Sequence, residues 1–213
     1  MKNQQGGFTL VEIAIVLVII GLLLGGVLKG QELINQAKIK NVANDLNGMS
    51  AAIYGYQDRY KKFPGDDDQA ETRWTSPATK KGDGNGAVGA LNIKAVLECA
   101  VTDKDTENCR FWQHLRLSGF VGGDSATTNA PQNASGGVLQ AQNGALGLSG
   151  LTICTTNLPG KIANAIDAQF DDGRPGTGQV RGTNTPTALD TKLADTAGYV
   201  DDGNTVYAVC KTL

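Results

Sequence analysis

Between Phe8 and Leu28 the chain reads FTLVEIAIVLVIIGLLLGGVL, 21 residues with a single charge, Glu12. As a helix rising about 1.5 Å per residue, that run spans roughly 32 Å, which matches a bilayer core of about 30 Å. A secretory signal would need a short apolar region followed by a small-x-small cleavage site. Here Ile13 to Leu28 continues unbroken into Lys29-Gly30-Gln31-Glu32 without one. A plain single-span anchor explains the length but not the acid four residues after Phe8. A carboxylate there costs on the order of 2 kcal/mol or more unless it meets a cation. Glu12 therefore asks for a partner.

Gly6-Gly7-Phe8-Thr9-Leu10-Val11-Glu12, followed by the long apolar helix, resembles the class III leader of type IV prepilins and pseudopilins. The resemblance implies cleavage by prepilin peptidase on the cytoplasmic side, between Gly7 and Phe8, and N-methylation of the new amino terminus at Phe8. It also gives Glu12 the role of the family's assembly acid. The physics agrees with that carry-over, because cutting after Gly7 creates a positive amine at Phe8. In a stack of helices, the amine of one subunit can neutralise Glu12 of its neighbour and set the axial register. Gly21 with Gly25, and Gly26 with Gly30, are small-xxx-small pairs that allow close helix approach. Type IVa major pilins usually carry a proline in the second half of this segment. All six prolines here lie at Pro64 or later, a departure toward pseudopilins or minor pilins. Charge bias does not orient the span, since Lys2 precedes it while Lys29, Lys38 and Lys40 follow it.

Beyond the apolar run, Ile39, Val42, Leu46, Met49, Ile53, Tyr56 and Tyr60 recur at alternating steps of 3 and 4, a sustained helical stripe. A coiled-coil seam would have the same spacing, but beside a Gly-rich domain the stripe reads as the face packed on a sheet. Phe63-Pro64-Gly65 ends the helix. The expected organisation is a leader at 1–7, a membrane-spanning or filament-core half helix at 8–30, an amphipathic half at 31–60 and a globular domain at 61–213. The expected fold class is α+β, a long N-terminal helix packed on a small antiparallel-sheet domain.

Within that domain, Arg110 to Leu117 reads as a short helix closed by Gly119, with Phe111, Trp112, Leu115 and Leu117 available for burial. Gly150–Cys154 and Thr205–Cys210 read as strands, and Ile162, Ile166 and Phe170 mark a helix ended by Asp171-Asp172-Gly173. Ser118 to Gly150, dominated by small and polar residues, reads as a long irregular excursion. The stretch from Trp74 through GDGNG, FWQHL and LPGKIANAIDAQFDDG resembles, more loosely, other bacterial proteins with this leader, and brings no chemistry with it.

Four cysteines without C-x-x-C spacing read as two structural disulfides, Cys99 with Cys109 across a short loop and Cys154 with Cys210 between strand-like segments. Such bridges need an oxidising compartment, the periplasm or the cell exterior. Buried free thiols are the alternative. Asp66 to Asp68, Asp83 with Asn85, Asp171 with Asp172, and Asp201 with Asp202 read as solvated loop acids. The EF-hand template fails from Asp83, because Ala87, Val88 and Lys94 fall where an oxygen ligand, glycine and glutamate are required. The resemblance implies that calcium, if bound, sits near the C-terminus, at Asp201 and Asp202. Otherwise no cofactor is expected.

His114, the single histidine, reads as a structural or surface residue. With no nucleophile motif, phosphate loop or metal-spaced ligands, an enzyme is not expected. Nucleic acid is disfavoured as a partner: 19 Lys+Arg against 21 Asp+Glu give a net charge of −2, and Lys61-Lys62 and Lys80-Lys81 are small patches. The reading is a structural subunit of a type IV pilus or type II secretion pseudopilus. It would sit first in inner-membrane lipid as a single-pass protein with its C-terminal domain in the periplasm, and then among other pilin subunits in a filament. The alternative is a minor pilin at a filament tip, binding a surface, sugar or DNA.

Overall fold

The computed structural model describes residues 9–89, 106–186 and 189–213. The chain divides into two compact units, Met1–Lys38 and Ile39–Leu213. Helix α1 runs unbroken over Leu10–Tyr60. It ends where Lys61 takes a left-handed φ of 57°, three residues before Pro64 removes a backbone donor.

In the second unit the predicted stripe is the buried one. Val42, Leu46, Met49, Ile53 and Tyr56 lie inside with Ala43 and Ala52, while Ile39 and Tyr60 flank them half-buried. Full burial of each large apolar side chain contributes about 1.5–3 kcal/mol, which is what holds this half of α1 to the domain. A one-turn helix α2, Ala70–Arg73, is followed by α3, Glu107–Leu117. Gly119, at φ 79°, closes α3 as expected. Phe111, Trp112 and Leu115 are buried, but Leu117 is only half-buried.

Strands β1 (Leu139–Ala145), β2 (Leu148–Pro159), β3 (Val180–Thr183) and β4 (Val206–Thr212) form one antiparallel sheet in the order β1-β2-β4-β3, with α4 (Gly160–Phe170) between β2 and β3 in the chain. The fold is therefore α+β. Period-two alternation divides the sheet's side chains. Leu139, Ala141, Leu151, Ile153 and Val209 share one apolar cluster with α1, α3 and α4. Cys154, Ala208 and Cys210 join Ala145, Leu146 and Leu189 in a second, smaller cluster on the other face.

The reading of 118–150 as wholly irregular is corrected by β1. Its sequence, LQAQNGA, hides a strand because Gln140 and Gln142 are buried too, so the sheet is covered on both faces at that point. The loop before β1 is ordered by the buried Asn133. Its amide donates to Thr155 Oγ1 (2.8 Å) and to the Thr156 carbonyl (2.7 Å), beside the bulge where β2 shifts register.

Candidate functional site

At the start of α1, Thr9 and Glu12 form a capping box. The Thr9 backbone N–H and hydroxyl each donate to Glu12 Oε2 at 2.8 Å, and the Glu12 N–H donates back to Thr9 Oγ1 at 3.3 Å. Glu12 thus has a local task, fastening the first helical turn, as well as the charge that the sequence reading emphasised. From Leu10 to Lys29 every residue is exposed, including Leu22 at 73% and Leu28 at 66%. This stretch is long and apolar enough to cross a membrane.

A Cβ added at Gly21, Gly25, Gly26 or Gly30 would meet nothing within 4 Å. Glycine inside a helix costs roughly 1 kcal/mol relative to alanine, so four of them call for a benefit, and nothing among the described residues packs against them to supply one. Gly55 shows the contrast: a Cβ there would run into the Phe120 ring, so its absence is explained within the domain. The cleavage and methylation residues Gly7 and Phe8 lie outside the described residues.

Cys154 and Cys210 are directly opposite each other on β2 and β4, 4.0 Å apart at Cα, and are joined by a disulfide. Cys109 is buried on α3. The expected Cys99–Cys109 bridge involves Cys99, which lies outside the described residues.

Asp66 and Asp67 correct the reading of solvated acids, being 1% and 0% exposed. Tyr56 donates its hydroxyl to Asp67 Oδ2 at 2.6 Å, Arg73 pairs with the same oxygen, and the Gln69 N–H donates to Oδ1 at 2.9 Å. Burial pushes the Asp67 carboxyl up, but Arg73, Tyr56 and Gln69 outweigh it and hold it below the usual range. Arg73 also lies over the Tyr60 ring, 4.2 Å from its centroid.

His114 is fully buried beside this group. Its Nδ1 accepts the Gly65 N–H at 2.9 Å and its Nε2–H donates to the Lys80 carbonyl at 3.0 Å, so the ring is neutral with both nitrogens engaged by backbone. It braces two loops and has no nitrogen left for proton transfer.

Asp66 instead faces Asp83 and Glu107, and one carboxylate oxygen from each lies within 4.8 Å of the others. Burial, followed by the neighbouring Asp83, pushes the Asp66 carboxyl up. Burial, with Asp83 and Asp66, raises Glu107. This convergence was not legible because its members stand 17 and 24 positions apart in the sequence, and the helix expected from Arg110 in fact begins at Glu107.

Asp202 is occupied by its own turn, accepting the Asn204 and Thr205 N–H groups and the Thr205 hydroxyl. Asp171 accepts the N–H groups of Gln179 and Val180, which ties the end of α4 to β3. The paired lysines meet acids: Lys61 with Asp58, Lys62 with Asp68 and Lys80 with Glu71.

Residues 2–28 match the prokaryotic N-terminal methylation motif. The chain thus carries the type IV prepilin leader, which supports a type IV pilin-like protein, and proteins of that kind are structural rather than enzymatic. The motif implies processing by prepilin peptidase and assembly with other pilin subunits. With the apolar helix, it is consistent with inner-membrane anchoring followed by a filament. No curated protein and no solved structure matches the chain.

Proposed function

We propose that this chain is a subunit of a type IV pilus or type II secretion pseudopilus, cut between Gly7 and Phe8, methylated at Phe8, and assembled through the apolar half of α1. The observation that carries this reading is an exposed apolar helix surface directly behind a methylation leader. Before assembly, lipid covers that surface; afterwards neighbouring helices do, with the glycines of 21–30 letting backbones approach. Until cleavage, the Thr9–Glu12 box holds the helix start. The Phe8 amine created by cleavage offers Glu12 of an adjacent subunit a charged partner.

The domain from 61 onward stays in the periplasm or outside the cell, where the Cys154–Cys210 disulfide persists. Mass spectrometry of the protein from cells with an active prepilin peptidase is the direct test. A mature terminus at singly methylated Phe8 is the expected result, and an intact residue 1–7 leader in those cells would remove the reading.

A further inference from the structure

We propose that Asp66, Asp83 and Glu107 form a calcium site, separate from the helix that the assembly reading depends on. The three acids come from three segments: the turn after α1, the glycine-rich loop 82–89 and the first turn of α3. A calcium ion keeps its oxygen ligands at about 2.4 Å, so two ligands on opposite sides stand about 4.8 Å apart. One carboxylate oxygen from each of the three residues lies within 4.8 Å of the other two, so a single ion can reach each residue.

An independent sign of a missing partner is Asp66 itself. It is 1% exposed, and its Oδ1 is buried with no hydrogen-bond partner among the described residues, while its carboxylate faces the other two acids. The other oxygen, Oδ2, accepts the Gly86 N–H at 2.9 Å. A second buried oxygen without a partner among the described residues, Asn108 Oδ1, belongs to a residue lining the same cleft as Asp83 and Glu107. A buried acceptor left unmatched is costly, and a cation satisfies it while also neutralising the like charges around it.

The ligand chemistry selects the metal class. Among the described residues the set is all oxygen with no histidine or thiolate, which disfavours zinc and copper. Three carboxylates with one of them, Asp83, exposed to water suit calcium better than magnesium, which keeps most of its own water and takes one or two carboxylates. The surrounding backbone is already arranged. Glu107 accepts the Asp83 N–H at 2.9 Å and the Gly89 N–H at 3.1 Å, and the Asp66 carbonyl accepts the Gly84 N–H at 3.1 Å. Gly82 lies so close to the Asp66 backbone that a Cβ would overlap it. Bound calcium fastens this loop to the turn after α1 and to the first turn of α3.

The test is calorimetric titration of calcium chloride into the chelator-stripped full chain in detergent, alongside thermal melts. One calcium per chain is expected, with a dissociation constant of about 0.1–1 mM, the range of extracellular modules. At twenty times that constant, the melting temperature should rise by roughly 5 °C. Asp83→Asn combined with Glu107→Gln, which keeps an acceptor for both N–H groups of Glu107, should weaken binding at least tenfold with an unchanged far-ultraviolet spectrum. Absence of binding by the wild type, an equal response to magnesium, or unchanged affinity in the double variant would each overturn the assignment.

Discussion

One pair of substitutions separates the capping contacts of Glu12 from the charge role proposed for it in assembly. Glutamine can still close a capping box but carries no charge, whereas alanine loses both functions. If the charge drives assembly, Glu12→Gln and Glu12→Ala should leave membrane insertion intact and reduce polymer yield alike. Rescue of yield by glutamine would assign Glu12 to helix capping alone.

The buried His114 gives a second outcome at this scale. Burial lowers its pKa from 6.5 to about 4 in the fold. Between those values the unfolded chain binds more protons, so stability falls as pH drops through that window, by roughly 3 kcal/mol once both values are passed. As the chain has one histidine, its proton NMR titration is self-assigned, and a midpoint near 4 is expected.

Asp167 acts in the opposite sense. Burial, helped by Asp172 and Asp171, raises its carboxyl to about 6 despite hydrogen bonds from the Tyr199 hydroxyl (2.6 Å) and the Gly173 N–H (3.0 Å). The folded form holds that proton more tightly than the unfolded one. Its contribution is therefore present at low pH and lost as pH rises through about 6. Melting temperatures of Asp167→Asn against wild type, measured from pH 7 to pH 4.5, should show the variant's advantage shrinking as the solution is acidified.

At the scale of elements, what could be read from the sequence was what buries a single face. The stripe from Val42 to Tyr56 announced its helix because its other faces are polar, and β2 and β4 announced themselves by β-branched alternation. β1 did not, because its buried positions alternate Leu and Ala with Gln, and a glutamine inside a sheet looks in sequence like one on a surface. β3, four residues with a central glycine, is set by its ladder to β4 rather than by any preference of its own. The acids converging on Asp66 were illegible for a related reason: spacing reveals neighbours within one element, and these come from three. The glycines of α1 were legible, and they carry a prediction. Gly25→Leu should raise intrinsic helix propensity by somewhat less than the roughly 1 kcal/mol that separates glycine from alanine, and leave membrane insertion unchanged. The same substitution should lower the ratio of sheared polymer to membrane-bound protein several-fold, and an unchanged ratio would show that backbones do not approach there.

Across the whole molecule, the two units meet opposite solvation demands. The residues of Met1–Lys38 that are described include a long run of exposed apolar side chains, while Ile39–Leu213 closes its own core around Trp112, Tyr56, Phe111 and Tyr207. Such a division suits a protein that exchanges surroundings for one unit and keeps the other folded throughout. The bridge between β2 and β4 has its own consequence. It closes residues 155–209 into a covalent ring that contains the exposed Asp201–Asn204 stretch. A protease nicking that stretch should leave a chain that migrates intact on a non-reducing gel and parts into two pieces only with dithiothreitol. Wear inflicted there stays silent, the last strand riveted in place, until a reductant arrives.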